Sequence, residues 1–372
     1  MFHFTSFPRH PLFAAALGCL AAAIFPLSAA CGGAPTDGAT AYTITDLGTL
    51  PGDTGSTATG INASGQVIGL SSRGSDVAHA FLYSKRKMTN LGTLPGNTAS
   101  GAAGINASGQ VAGGSVGIVD HAFLYSSGKM MGLGTLPGDT SNAAYGLNAS
   151  GQVVGVSNGS GADHAFLYSK GTTTALGTLP GDTDGTAYGI NVSGQIVGNS
   201  SNSDHVSHAF LYSEGTLTNL GMLPGDTESD ATAINTSGQV VGYSYGSSRV
   251  SHAYLYSDGK MTALGYLPGK NSSAATGINA GGQVVGNSSR NSVYAAFLYS
   301  KGKMVDLTAR LPAGSGWKLT EAKGINDSGQ ICGSGTLHGK DHAFLLTPSP
   351  RAAPPHIGRS SISNRRTGKV AP

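Results

Sequence analysis

The sequence predicts an all-β fold: a seven-bladed β-propeller of four-stranded repeats about 44 residues long, its ring closed by an N-terminal strand. Three observations predict it. The segment Gly60-Ile61-Asn62-Ala63-Ser64-Gly65-Gln66-Val67 recurs with its Asn at 62, 106, 148, 191, 235, 279 and 326, in steps of 42 to 47 residues. Each period holds short runs of four to seven residues between glycine-rich turns, with no helical periodicity. The array also starts on a strand that lacks a blade and stops on a blade that lacks its last strand.

Composition agrees with a turn-rich β protein. Glycine supplies 58 of 372 residues and charged residues 11%, against usual shares of about 7% and about 25%. A hydrophobic content of 39% is enough for a packed core, and the low charge argues against a disordered chain. Three cysteines make neither a disulfide framework nor a four-thiolate zinc site. The formal charge of +3 belongs to the ends, because between positions 41 and 350 there are 16 basic and 18 acidic residues. Such a region carries no electrostatic footprint for nucleic acid.

Residues 1–30 read as a secretory signal: Arg9 and His10, an apolar run from Pro11 to Pro26, then Ser28-Ala29-Ala30. The run is short for a bilayer span of about 20 residues, and no second apolar stretch of that length follows. Leu27-Ser28-Ala29-Ala30-Cys31 resembles a bacterial lipobox, with Ser28 where leucine is usual. Lipidation at Cys31 and plain secretion both stay open, and each places the chain outside the cytoplasm, free or in the cell envelope. Residues 31–40 form a small-residue linker and 41–348 the propeller. Residues 349–372, with four prolines and five basic residues, read as a disordered tail.

Within a unit, strand a is predicted over Ala58–Asn62, strand b over Gln66–Ser71, strand c over His79–Ser84 and strand d over Met88–Leu94. Asn62-Ala63-Ser64-Gly65 suits the tight turn between a and b, with Asn first and Gly last. Strand c carries His79-Ala80-Phe81-Leu82-Tyr83, whose aromatic recurs at 81, 123, 166, 210, 254, 297 and 344. The d-to-a connection carries Leu47-Gly48-Thr49-Leu50-Pro51-Gly52-Asp53, its Leu recurring at 47, 91, 133, 176, 220, 264 and 307. Tyr42–Leu50 is strand-d material ahead of any strand a, and the array leaves after Phe344-Leu345-Leu346, a strand c. Joining the two completes the seventh blade and removes the edges an open array would expose.

These three motifs, in fixed order and seven times over residues 45–347, resemble the HAF-family extracellular repeat of bacterial proteins. The resemblance implies export, and it implies no established activity and no assigned catalytic residues.

Side-chain chemistry is sparse. Gly242-Tyr243-Ser244-Tyr245-Gly246 matches the G-x-S-x-G nucleophile pattern, but that motif needs a strand-to-helix elbow and here it falls on strand b. Asn62-Ala63-Ser64 and its copies match glycosylation acceptors, although Asn279-Ala280-Gly281 keeps the turn and loses the acceptor. Histidines open strand c at 79, 121, 164, 208, 252 and 342. Equivalent positions in different blades lie too far apart to share one metal ion, so partners inside a blade are expected: Asp53–His79, Asp139–His164, Asp182–His208 and Asp226–His252. Blade 2 has Asn97 in place of the acid, and blade 6 loses both members, to Lys270 and Ala295. No cofactor or metal is called for.

The expected function is a non-catalytic binding or structural module, a monomer, that uses one propeller face for a glycan, peptide or protein. The second reading is an exported polysaccharide lyase or hydrolase with its site at the central channel. Repeat symmetry breaks most in blades 6 and 7. The candidate ligand residues are therefore Tyr266, Lys270, Trp317, Lys318 and Lys323, with an exposed Trp317 indole weighed against one that packs the closing seam.

Overall fold

The structure is a computed structural model, and it describes residues 40–74, 77–159 and 161–349. The predicted signal segment, Cys31, nearly all of the linker and all but the first residue of the tail lie outside the described residues. Seven four-stranded antiparallel sheets form a closed ring, each in contact with the next. Blade 1 runs Gly55–Ile61, Val67–Arg73, Val77–Ser84 and Lys87–Asn90 for strands a to d. Strand a of each blade touches strand a of both neighbours, which places it innermost. Strand a starts three residues before its predicted start, and strand d stops at Asn90. The following Leu91 no longer continues the strand, yet its N–H still donates to the Ala80 carbonyl.

Blade 7 closes as predicted. Strands a (Trp317–Ile325), b (Ile331–Leu337) and c (Lys340–Pro348) are completed by Tyr42–Asp46, paired antiparallel from Tyr42↔Pro348 to Asp46↔Phe344. Among the described residues the one helical element is the 3-10 turn Thr308–Arg310.

The core lies between blades. One apolar cluster joins Ala112, Ala122, Leu133 and Leu136 to Ala144, Leu147, Val153 and Phe166 of the next sheet, and another joins blade 7 to blade 1. The strand-c aromatics are fully buried, each worth about 1.5–3 kcal/mol against exposure. Opposite Phe81 sits Gly69 of strand b. A side chain there would stand 2.0 Å from the Thr57 carbonyl oxygen and 2.9 Å from the Phe81 ring. The bulge between Ala58 and Gly60 marks the same crowded spot in strand a, and it explains the recurrent Gly of strand b. Strand d is largely exposed, and its first residue is a lysine (Lys87, Lys129, Lys260, Lys303) or a threonine (Thr172, Thr216) in blades 1 to 6.

The a-to-b turn does more than turn. Asn62 Oδ1 accepts from the Gln66 N–H at 3.0 Å, while its Nδ2 donates to Gln66 Oε1 at 2.8 Å and to the carbonyl of Asn106 in the next blade at 3.0 Å. Asn106 reaches Asn148, Asn148 reaches Asn191, and so on through Asn235, Asn279 and Asn326, each at 3.1 Å. Asn326 then donates to the Asn62 carbonyl, closing a circle of seven hydrogen bonds. All seven asparagines are buried.

Two outcomes test this arrangement. Asn191→Ala removes the bond to Asn235 and the cap on Gln195, and should destabilise by about 1–3 kcal/mol in denaturant unfolding. Deleting residues 41–46 should bare the strand-c edge of blade 7, giving oligomers in size-exclusion chromatography and a lower Tm. Monomeric elution with unchanged Tm would contradict closure by this strand.

Candidate functional site

The d-to-a and b-to-c connections share one face, and recurrent side chains tie them together. In blade 5 the Leu223 N–H donates to Ser244 Oγ, which donates to Asp226 Oδ2 at 2.7 Å. His252 Nδ1 donates to the same carboxylate at 2.9 Å. Blades 3 and 4 repeat the imidazole–carboxylate bond in Asp139–His164 at 3.0 Å and Asp182–His208 at 3.1 Å. In each the Asp is buried and the His is partly exposed.

Among the described residues no hydrogen bond joins the expected pair Asp53–His79. Asp53 Oδ2 accepts from Ser71 Oγ at 2.7 Å, although His79 faces Ser71 in the same register in which His252 faces Ser244. In blade 2, Asn97 Nδ2 donates to the Ser115 carbonyl and His121 Nδ1 to the Val119 carbonyl. A pair not expected from the sequence lies on the seam: His342 Nδ1 donates to Asp46 at 2.9 Å, joining strand c of blade 7 to the N-terminal strand that completes it.

The Ser–Asp–His grouping of blade 5 is not a catalytic triad. Serine and histidine both donate to the aspartate, so the imidazole holds no bond to the hydroxyl it would have to activate. Ser244 is fully buried in an extended strand. Asn62 is likewise closed to glycosylation by burial and by the ring of amides. Burial pushes the Cys332 thiol up to about 12, which leaves it an unreactive core residue. Among the described residues no three His, Cys, Asp or Glu side chains could hold a metal ion.

A cavity of about 400 Å³ opens where blades 5, 6 and 7 meet. Its walls include Tyr243, Thr276, Asn287 and Glu321, and two b-to-c connections with their strand ends supply Arg249, Arg290 and Tyr294. Glu321 Oε1 accepts from Lys323 Nζ at 2.6 Å and from Asn287 Nδ2 at 3.3 Å. Burial, reinforced by the neighbouring Asp230 carboxylate, holds the Tyr243 phenol well above its ordinary value and therefore protonated. Arg249 (φ 54°), Asn291 (φ 50°) and Ser292 (φ 62°) are left-handed. The last two form the two-residue hairpin between Arg290 and Val293, whose paired positive φ values match a type I′ turn.

The predicted ligand residues fall in different places. Trp317 is 7% exposed, packed edge-on against Phe344 and His342 within the blade 7 core. Of the two placements weighed for Trp317, the structure has the seam packing: strand a begins at Trp317, and its side chain turns into the closing sheet against Phe344. Lys318 is exposed on that strand. Lys323 is largely buried and reaches the cavity through Glu321. Lys270 donates to the Val293 carbonyl at 2.9 Å, so an ammonium–carbonyl bond replaces the Asp–His brace in blade 6. Tyr266 is exposed, its ring 5.8 Å from that of His252.

The sequence did carry a signal for the cavity. The strand-b position paired with the third residue of strand a is Leu70, Gly114 and Val156 in blades 1 to 3, then Asn199, Tyr243 and Asn287 in blades 4 to 6. In the longer strands of blade 7 the equivalent pair is Ser334 with Glu321. That change from apolar to polar becomes visible only when strands are aligned by register.

No family model matches the chain, and no curated protein matches it. Its fold is similar to solved β-propellers. The β-propeller domain of the Trilobed protease from Pyrococcus furiosus, described as having an open velcro topology, is 8% identical with a TM-score of 0.55, covering 80% of this chain and 94% of that domain. YCF48 bound to D1 peptide is 11% identical with a TM-score of 0.53, covering 87% and 100%. TolB from Acinetobacter baumannii is 12% identical with a TM-score of 0.45; the match covers 81% of this chain and 65% of TolB, so the chain spans just under two thirds of that protein. These likenesses concern the fold. Among the described residues no helix is long and apolar enough to cross a membrane.

Asp139→Ala and His164→Ala should each destabilise, the former by about 1–3 kcal/mol because its burial leaves groups unsatisfied. The double variant should cost little more than Asp139→Ala alone. Additive costs in a double-mutant cycle would show that the two side chains do not couple.

Proposed function

We propose that the chain is exported, as its resemblance to HAF-family repeats implies, and that it is a binding module that seats a polar ligand in the cavity of blades 5 to 7. The observation that carries this reading is where the repeat is broken. Seven like blades suffice for the ring, so nothing in the architecture asks for Tyr243 or Asn287 where blades 1 to 3 have Leu70, Gly114 and Val156, or for Glu321 where they have Thr57, Gly101 and Ala143. These departures converge on one cavity, on the face that carries the variable connections. Variable loops on a rigid scaffold are the usual place for recognition, and a volume near the lower end of about 300–1,000 Å³ suits a small ligand or the end of a longer one.

The leader-like residues 1–30 and the lipobox-like Cys31 support placement outside the cytoplasm, free or anchored. The YCF48 structure, with its D1 peptide, is an instance of a similar fold holding a partner. An enzyme working in this cavity would have Glu321 as its one lining carboxylate, and Lys323 and Asn287 already engage it.

A glycan and peptide binding screen on the purified chain tests the proposal. Binders should raise the Tm of the wild type. Tyr294→Ala, an exposed position whose loss should shift stability by no more than about 0.5 kcal/mol, should weaken them at least tenfold. Binders indifferent to Tyr294→Ala and Asn287→Ala would place recognition elsewhere on the molecule.

A further inference from the structure

From the chemistry of this cavity, and resting on its reading as a ligand seat, we infer that it binds a carboxylated sugar, with Arg249 and Arg290 receiving the carboxylate. The folded region as a whole is slightly acidic, with 16 basic and 18 acidic residues between positions 41 and 350. At this mouth the balance reverses. Two exposed guanidinium groups stand on adjacent b-to-c connections and line one opening. Among the described residues neither forms an ion pair. Glu321 is the one carboxylate among the described residues that line the cavity, and Lys323 is 2.6 Å from it. Two like charges at one mouth, with the one lining carboxylate already held by Lys323, are relieved by an anion from outside. The planar donor fork of arginine favours a carboxylate that can accept two parallel bonds.

The rest of the lining selects what carries that carboxylate. The hydroxyls of Ser272, Thr276 and Thr320 donate to the carbonyls of Ser251, Ala322 and Ser334 and keep lone pairs that can accept, while the Asn287 amide can both donate and accept, a set that suits the hydroxyls of a pyranose. Tyr294, 47% exposed at the rim, presents an aromatic face for a sugar ring, and the protonated Tyr243 lies deeper in the wall. Among the lining residues Val250 is the one branched aliphatic side chain. A peptide anchored by an apolar side chain would find no apolar pocket here, and a lipid chain would find none either.

The experiment is calorimetric titration of the full chain with galacturonic acid and short oligogalacturonates, beside galactose, glucose and an acidic peptide with a free C-terminal carboxylate. Arg249→Gln, Arg290→Gln and Tyr294→Ala are measured in parallel, with Tm recorded to confirm folding. The expected result is uronate binding that weakens as salt rises, falls at least tenfold in each arginine variant, and is absent with galactose. Arg290→Lys should recover less than half of the loss in binding free energy, because it restores charge without the fork. Equal binding of neutral and acidic sugars, with the arginine variants unaffected, would overturn the inference while leaving the cavity as the ligand seat. Binding of the acidic peptide and not of uronates, lost in the same variants, would also overturn it and reassign the arginines to a peptide carboxylate. Failure of uronates to bind at all refutes the inference; the wider reading fails separately, only if ligands found by the screen ignore Tyr294→Ala and Asn287→Ala.

Discussion

Seven side-chain amides passing a hydrogen bond from blade to blade hold the inner end of this ring. Each asparagine spends its oxygen on its own a-to-b turn and its nitrogen on the next blade's backbone, so the local turn and the global curvature share one residue. Asparagine suits this double role: aspartate would keep the acceptor but lose the donor, and serine is too short to span both partners. Because all seven are buried, an unmade bond would leave a polar group stranded in the core, and that cost ties the position of every blade to its neighbours. The circle closes only when Asn326 finds Asn62, 264 residues earlier in the chain.

The outer end of each blade is held differently. Around the opposite face, buried aspartates tie the loops to strands b and c, and here the blades are free to differ. Blade 5 uses serine and histidine together on Asp226, blade 2 uses the Asn97 amide, and blade 6 uses the Lys270 ammonium on a carbonyl. The seam between the two chain ends uses Asp46 and His342. A rigid inner ring and a permissive outer face make a division of labour: the first sets the frame, and the second can vary without loss of the frame.

The cavity exploits that freedom. Its walls come from strands a and b of three adjacent blades, where the crowding of Gly69-type positions fixes the backbone and leaves the neighbouring side chains open to change. Asp230, 1% exposed, illustrates the cost of such change. It requires the Ser207 hydroxyl at 2.9 Å and influences tyrosines in two blades, so a single acid in strand a brings a polar network with it.

The sequence by itself determined the period, the number of blades and the closing strand, because repeats, turn residues and alternating strands act within a few residues of one another. It also located Asp139, Asp182 and Asp226 opposite their histidines, which follow them by 25 or 26 residues. It did not show that Asn62 reaches Asn106, that Trp317 is turned into the closing sheet, or that Asp46 meets His342. Each of these depends on the curvature that brings residues from different blades, or from opposite ends of the chain, into contact. For the same reason Tyr243, Asn287, Arg290 and Glu321 read as scattered departures along the chain. Only the packing of three sheets side by side turns them into the walls of one cavity.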